Sequence, residues 1–146
     1  MADVVLDGSA AGGWFFPDEH APQHDRMLQD ALSGKITLMQ PHLWLLECVN
    51  MIRTGVRRGR LTAPLAHKAL HHWLSIPVTY ADLGSQAGHL LDTALRRGLT
   101  AYDAAYLCLA ESLGAPLYSL DADLLALRSE YGWIRPVKDY ATPSFV

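Results

Sequence analysis

Two aspartates stand directly after short apolar segments of the chain, a position from which a carboxylate can bind a ligand or take part in catalysis. Asp7 follows the run Val-Val-Leu at residues 4–6, and Asp121 follows Leu-Tyr-Ser-Leu at residues 117–120. In an open parallel sheet the ligand crevice lies outside the carboxyl ends of the strands, so both acids are predicted to border such a crevice. Each could instead be only the N-cap of the helix that follows it, and the sequence leaves both interpretations open.

Glu47 lies in the apolar segment 43–52, where hydrophobic residues occupy nearly every face of the predicted helix. Asn50 follows three residues later and therefore shares its side of the helix. A buried carboxylate without a partner is costly or stays protonated, so Glu47 is expected to have one. The two alternatives are a cavity shared with Asn50 and a salt bridge to an Arg or Lys.

Asp103 comes three residues after Thr100, so the pair could form a capping box at the start of a helix. The first turn of that helix would also lie against the carboxyl edge of a parallel sheet, where Asp7 and Asp121 are expected. Four carboxylates in one cleft repel each other unless protons or cations neutralise them. The sequence therefore favours a hard divalent cation, Mg²⁺ or Mn²⁺, which oxygen ligands bind well. Such an ion supports hydrolysis of a phosphodiester.

Short apolar segments alternate with helical patterns along the chain, which predicts an α/β fold with a mostly parallel sheet covered on both faces. Strands are predicted at residues 4–6, 35–39, 76–80, 116–120 and 133–137, with Pro41 turning the second strand into the next helix. Helices are predicted at residues 20–32, 43–58, 62–74, 81–97, 101–113 and 122–131.

The composition indicates one globular domain of residues 1–146. Hydrophobic residues make up 50% and charged residues 18% of the chain, which excludes disordered and collagen-like classes. Twelve Lys and Arg against fifteen Asp and Glu give a net charge of −3, which excludes a strongly basic nucleic-acid-binding domain. The apolar surroundings of Cys48 and Cys108 predict buried free thiols in a reducing compartment. Because no segment resembles a secretion signal or a membrane span, we expect a cytoplasmic, soluble protein without a membrane partner.

The densest basic group consists of Arg53, Arg57, Arg58 and Arg60. It could bind RNA phosphates or pair with an acidic segment of a partner. Favourable electrostatics at a helix C-terminus explain at least half of the group without any ligand. Both interpretations stay open.

Nearly the whole chain resembles the PIN domain, and within it the VapC-type toxin ribonucleases of bacterial toxin–antitoxin pairs. Four blocks carry the resemblance in the right order, at residues 4–10 with 14–19, 41–50, 99–114 and 116–124. The first contains Val-Val-Leu-Asp-Gly-Ser-Ala, where Gly8 replaces the more usual Ala. In the fourth block Ser119 replaces a common Thr and keeps the hydroxyl group.

The resemblance implies a three-layer α/β/α sandwich with a sheet of about four to five strands. It implies an acidic metal site of Asp7, Glu47, Asp103 and Asp121, supported by Ser9, Asn50 and Ser119, with Asp123 as the alternative to Asp121. It further implies an Mg²⁺-dependent endoribonuclease that acts as the toxin of a type II pair, forms homodimers and is inhibited by a small antitoxin. The rival hypotheses are an RNA-processing nuclease without an antitoxin and a catalytically silent interaction module.

Overall fold

An entirely parallel five-stranded sheet organises the chain in the computed structural model, which describes residues 1–144. The strands are β1 (Ala2–Leu6), β2 (Ile36–Pro41), β3 (Val78–Ala81), β4 (Leu117–Tyr118) and β5 (Ile134–Arg135). Their order across the sheet is β3-β2-β1-β4-β5. The chain therefore adds β2 and β3 on one side of the central strand β1 and later adds β4 and β5 on the other side. This change of direction at the carboxyl end of β1 and β4 is the place where open α/β sheets bind ligands.

Seven α-helices flank the sheet within residues 1–144. They are α1 (Gly8–Ala11), α2 (Pro22–Leu32), α3 (Leu43–Arg57), α4 (Ala63–Leu74), α5 (Ala87–Arg97), α6 (Ala101–Leu113) and α7 (Ala122–Leu125). The α/β class and the parallel sheet are as predicted. The predicted domain of residues 1–146 includes residues 145 and 146, which lie outside the part of the chain that the structure describes.

Helix α6 forms the centre of the hydrophobic core. Seven consecutive residues, from position 104 to position 110, are buried, and the helix packs against β1 and β2. Its sequence is apolar on every side, which is the pattern of a helix enclosed by other elements. Thr100 caps its first turn by accepting a hydrogen bond from the backbone N–H of Asp103, and Gly114 ends it in the left-handed conformation. The predicted bounds of this helix are confirmed.

Several predicted boundaries were wrong. Those of β1, β3, β4 and β5 differ by one or two residues, and three further differences lie at Pro41, α5 and α7. Pro41 is the last residue of β2, where it pairs with Ala81, rather than the turn after the strand; a strand end tolerates its missing N–H. Helix α5 begins only at residue 87, because the Asp82 side chain accepts a hydrogen bond from the Gly84 N–H at 2.8 Å and holds a turn there. The predicted helix 122–131 ends at residue 125 and continues as a 3₁₀ turn. None of the helices within residues 1–144 has the length and apolar character required to cross a membrane.

Candidate active site

Asp7 is the most deeply buried acid at the carboxyl edge of the sheet, with 4% of its surface exposed. Its carboxylate accepts hydrogen bonds from Ser9 Oγ at 2.6 Å, Ser119 Oγ at 2.5 Å and the backbone N–H of Ala10 at 2.9 Å. Burial raises the pKa of Asp7, the three hydrogen bonds oppose the increase, and the charge of Asp121 adds to it. Asp7 is therefore both the N-cap of α1 and the buried centre of an acidic site.

Two serines join the ends of β1 and β4 around this acid. Ser9 Oγ accepts a hydrogen bond from the backbone N–H of Leu120 at 2.9 Å, and Ser119 Oγ accepts one from that of Asp121 at 2.9 Å. Both hydroxyls donate to Asp7 at the same time. The predicted supporting serines thus orient Asp7 and fix the start of the loop that carries Asp121.

Glu47 lies half-buried on α3, and its partner is a hydroxyl group. Tyr106 Oη donates a hydrogen bond to its carboxylate at 2.9 Å. Of the two alternatives, a salt bridge to an Arg or Lys is absent within residues 1–144. A Cβ atom at Gly8 would lie 2.6 Å from Glu47 Oε2, so the missing side chain lets this carboxylate approach α1 closely. Burial raises the pKa of Glu47, and repulsion by Asp7 and Asp103 raises it further, against the Tyr106 hydrogen bond.

Asp103 in the first turn of α6 and Asp121 after β4 complete the set of acids. Burial raises the pKa of Asp103, followed by repulsion from Asp121 and then from Asp123. Asp121 caps α7 by accepting hydrogen bonds from the backbone N–H of Asp123 at 2.8 Å and of Leu124 at 3.3 Å. The charge of Asp121 acts on both Asp7 and Asp103, whereas that of the exposed Asp123 acts on Asp103. This difference favours Asp121 as the fourth acid.

The four acids are neighbours, but they do not form a ready ligand sphere. Repulsion links Asp7 with Glu47, Glu47 with Asp103, Asp103 with Asp121 and Asp121 with Asp7. Yet no group of three His, Cys, Asp or Glu side chains among residues 1–144 lies close enough to hold one metal ion. The expected convergence on one ion is not formed in this structure. Hydroxyl and backbone donors hold the carboxylates separately, and like charges resist closer approach.

A cleft of about 440 Å³ opens beside these acids. Its walls include Gly8, Ser9, Glu19, Glu47, Asn50 and Met51. Of the four acids, Glu47 lines the cleft itself, and Asp7 contacts it through Ser9. Asn50 lies beside Glu47, as its spacing predicted. Carboxylates, an amide and hydroxyls form a set of oxygen donors, which is the chemistry that fits Mg²⁺ or Mn²⁺.

Two contributing residues, Tyr106 and Gln40, were missed in the sequence. Tyr106 shares one side of α6 with Asp103, but that spacing does not indicate its contact with Glu47. Gln40 occupies the buried face of β2, where Ile36 and Leu38 precede it at alternate positions, and its side chain accepts a hydrogen bond from the backbone N–H of Leu6 at 3.2 Å. This polar residue on an apolar face holds the last residue of β1 in front of Asp7.

The basic group separates into two places. Arg53 and Arg57 line an apolar groove between α3 and α4. Arg58 and Arg60 line a separate groove next to the active-site cleft. Arg60 pairs there with Asp18 at 2.8 Å and with Glu19 at 2.7 Å, and its guanidinium lies 3.8 Å from the centre of the Phe16 ring. The four arginines therefore do not form one continuous patch.

Comparison with known proteins assigns the family. Ribonuclease VapC3 of Pyrobaculum aerophilum is 33% identical over 126 residues, which cover 83% of this chain and 91% of that protein. Ribonuclease VapC9 of Mycobacterium tuberculosis is 31% identical, covering 83% of this chain and 87% of the relative. An exonuclease VapC9 of P. aerophilum is 36% identical over 85 residues, which cover 58% of this chain and 62% of that protein.

The fold has a relative of known structure. The crystal structure of PAE2754 from P. aerophilum superposes with a TM-score of 0.69 at 27% identity, covering 94% of this chain and 85% of that one. The sequence matches no family profile. Taken with the fold and the acids at the edge of its sheet, these relatives show that the chain belongs to the VapC family of PIN-domain ribonucleases.

Proposed function

We propose that the protein is a metal-dependent endoribonuclease, the toxin of a type II toxin–antitoxin pair, whose Mg²⁺ or Mn²⁺ is held by Asp7, Glu47, Asp103 and Asp121. The observation that carries the proposal is the placement of the buried Asp7, held by Ser9 and Ser119 at the carboxyl edge of the sheet, next to the cleft that Glu47 and Asn50 line. Carboxylates and an amide at such an edge are oxygen ligands that suit a hard divalent cation. One PIN domain of residues 1–146, working in the cytoplasm, would contain the whole activity.

Each residue of the site has a distinct role in this proposal. When bound, the cation would activate a water molecule and stabilise charge on the scissile phosphodiester. Ser9 and Ser119 keep Asp7 in one orientation. Tyr106 holds the Glu47 carboxylate at the cleft. The Asn50 amide would donate to an RNA oxygen in the same cleft.

The apolar groove between α3 and α4 is the surface that we assign to the antitoxin. It has a volume of about 360 Å³, and its apolar walls are formed by Val49, Ile52, Val56, Ala66 and Leu70. Arg53 and Arg57 at its rim favour an amphipathic helix with acidic flanks. An Arg of the same partner placed in the active-site cleft would compete with the cation for the carboxylates.

We assign the homodimer contact to α5, where Leu91 and Leu95 are 60% and 74% exposed one helical turn apart. Pairing of this strip with a second copy would remove both side chains from water. Light scattering should give a dimer for the wild type and a monomer for a variant with Leu91→Asp and Leu95→Asp. A dimeric variant would exclude this surface.

Cleavage of labelled linear and circular RNA tests the activity. The wild-type protein should cut both RNAs with Mg²⁺ or Mn²⁺ and neither in excess chelator. Cleavage of linear RNA alone would instead indicate an exonuclease, the activity in the name of one relative. Cleavage that persists unchanged in chelator would contradict metal dependence.

A further inference from the structure

A second groove continues from the active-site cleft along α3. It has a volume of about 180 Å³, and Glu19, Asn50 and Met51 line both the groove and the cleft. Thr54 and Arg58 line the part of the groove further along α3. A strand of RNA that enters the cleft therefore has a continuous path along this face of the helix.

The polar residues on this face of α3 change in charge along the path. Glu47, Asn50, Thr54 and Arg58 follow one another at spacings of three or four residues and so share one side of the helix. Eleven residues separate the carboxylate from the guanidinium, which is about 16 Å at a rise of ~1.5 Å per residue. This distance places the Arg58 guanidinium within reach of a phosphate a few nucleotides from the cleft.

Arg58 is the arginine of the basic group that is available for this contact. Arg60 is occupied by Asp18 and Glu19, and Arg57 lines the apolar groove on another face of α3. Within residues 1–144, Arg58 forms no ion pair. Glu19, the acid on the shared wall, has its charge offset by Arg60 at 2.7 Å. An incoming phosphate therefore meets an unpaired guanidinium at the far end of the groove.

We infer that Arg58 forms a phosphate subsite, which binds an RNA backbone phosphate a few nucleotides away from the phosphodiester held beside Glu47. The subsite rests on the proposed ribonuclease function and extends it to substrate length. A guanidinium binds phosphate through two parallel hydrogen bonds. Because backbone contacts position a nucleic acid without reading its bases, Arg58 sets the minimum RNA length and not the sequence preference.

A ladder of single-stranded RNA oligonucleotides tests the subsite. All oligonucleotides carry the same cleavage site and are shortened one nucleotide at a time from either end. For the wild type, kcat/KM should fall about tenfold at the step that removes the bound phosphate. Arg58→Ala should lose about tenfold on the full-length RNA and nothing more at that step. Arg26→Ala, which removes the same charge from an exposed position on α2, should follow the wild type along the ladder.

A full-length oligonucleotide with a neutral methylphosphonate at the identified position separates charge from length. It should reduce kcat/KM for the wild type and Arg26→Ala but leave Arg58→Ala unchanged. The slope of the logarithm of the RNA binding constant against the logarithm of the salt concentration should also become shallower by about one for Arg58→Ala. A length profile of Arg58→Ala that matches the wild type overturns the subsite while wild-type cleavage still supports the ribonuclease. A wild type that cuts no RNA with either metal overturns both.

Discussion

Hydroxyl groups determine where the acidic oxygens of the site lie. Ser9 and Ser119 donate to Asp7, and Tyr106 donates to Glu47. Ser9 lies on α1 beside Asp7, whereas Ser119 and Tyr106 come from distant segments of the chain, so tertiary contacts help to fix both carboxylates. Such support preorganises metal-ligating groups and usually affects activity strongly when it is removed.

Removing the Tyr106 hydroxyl should weaken the orientation of Glu47. In Tyr106→Phe the hydrogen bond that lowers the Glu47 pKa is lost, so this pKa should rise further. We expect kcat to fall about tenfold, stability to drop by about 1 kcal/mol and the acidic limb of the pH–rate profile to move to higher pH. Tyr102→Phe is the matched control, because Tyr102 is 64% exposed on the same helix. An unshifted acidic limb in Tyr106→Phe would show that Glu47 does not depend on this contact.

Replacing Asp7 should separate activity from folding. Asp7→Asn should reduce metal-dependent RNA cleavage at least about a hundredfold, since one anionic ligand is lost. The thermal midpoint in chelator should be unchanged or higher, because the substitution removes a buried, repelled charge. Asp92→Asn, an exposed position on α5, is the control with the same change of side chain. Wild-type cleavage by Asp7→Asn would contradict the proposed role.

The positions of three acids could be predicted from sequence because each has a topological meaning. Asp7 and Asp121 follow strands, and Asp103 lies in the first turn of a helix. Ser9 and Ser119 were expected from the family resemblance, whereas Tyr106 was not. The hydroxyl of Tyr106 contacts a residue 59 positions away, and nothing in the local pattern at either position encodes that distance.

Helix α3 contributes to the molecule through three faces. Trp44, Cys48 and Gly55 are buried, a second face lines the apolar groove, and a third carries Glu47 and Asn50 into the cleft. The sequence predicted an apolar helix on nearly every side, but Leu46 is 71% exposed. Periodicity cannot distinguish an apolar face that is buried in the fold from one that is left for a partner, because both have the same spacing.

The close packing of α3 makes one glycine sensitive to substitution. A Cβ atom at Gly55 would lie 2.5 Å from Cε1 of Phe16, the ring on which Arg60 stacks. Overpacking costs about 1–3 kcal/mol, which exceeds the gain of at most about 1 kcal/mol in helix propensity. Urea unfolding should therefore show that Gly55→Ala is destabilised.

Gly88 on α5 is the control for this substitution, since a Cβ atom there meets no atom within 4 Å. Gly88→Ala should be more stable than the wild type by about 0.5–1 kcal/mol. Equal stabilisation of both variants would show that Phe16 moves away at no cost.

The parallel sheet brings distant parts of the chain to one edge. Asp7 follows β1, Asp121 follows β4, and Glu47 and Asp103 come from helices that pack beside them. Alternating strands and helices predicted a parallel sheet but not the order β3-β2-β1-β4-β5. Strand order depends on which pairings bury the most surface over the whole chain, and the local pattern that predicted β4 and β5 does not contain this information.

The acids of the site make the stability of the folded protein depend on pH. The folded pKa values of Asp7, Glu47 and Asp103 lie above their ordinary values of 3.8, 4.5 and 3.8. Between the unfolded and the folded pKa the native state binds more protons, so this contribution to stability is present at low pH and is lost as pH rises through the folded pKa.

In chelator, the difference in thermal midpoint between wild type and Glu47→Gln should therefore change with pH. The wild type should gain relative to the variant as pH falls toward 4.5, the ordinary pKa of a glutamate. Saturating Mg²⁺ should stabilise the wild type mainly at higher pH, where the carboxylates are charged. A difference that is independent of pH would show that folding does not raise the pKa of Glu47.

The most direct test of the proposed metal centre is a crystal structure of the protein soaked in Mn²⁺, with the ion located by its anomalous scattering. We predict a peak bounded by carboxylate oxygens of Asp7, Glu47, Asp103 and Asp121, and its loss in Asp7→Asn crystals but not in Asp92→Asn crystals. The absence of a peak among these four side chains at a Mn²⁺ concentration that supports RNA cleavage would contradict the account.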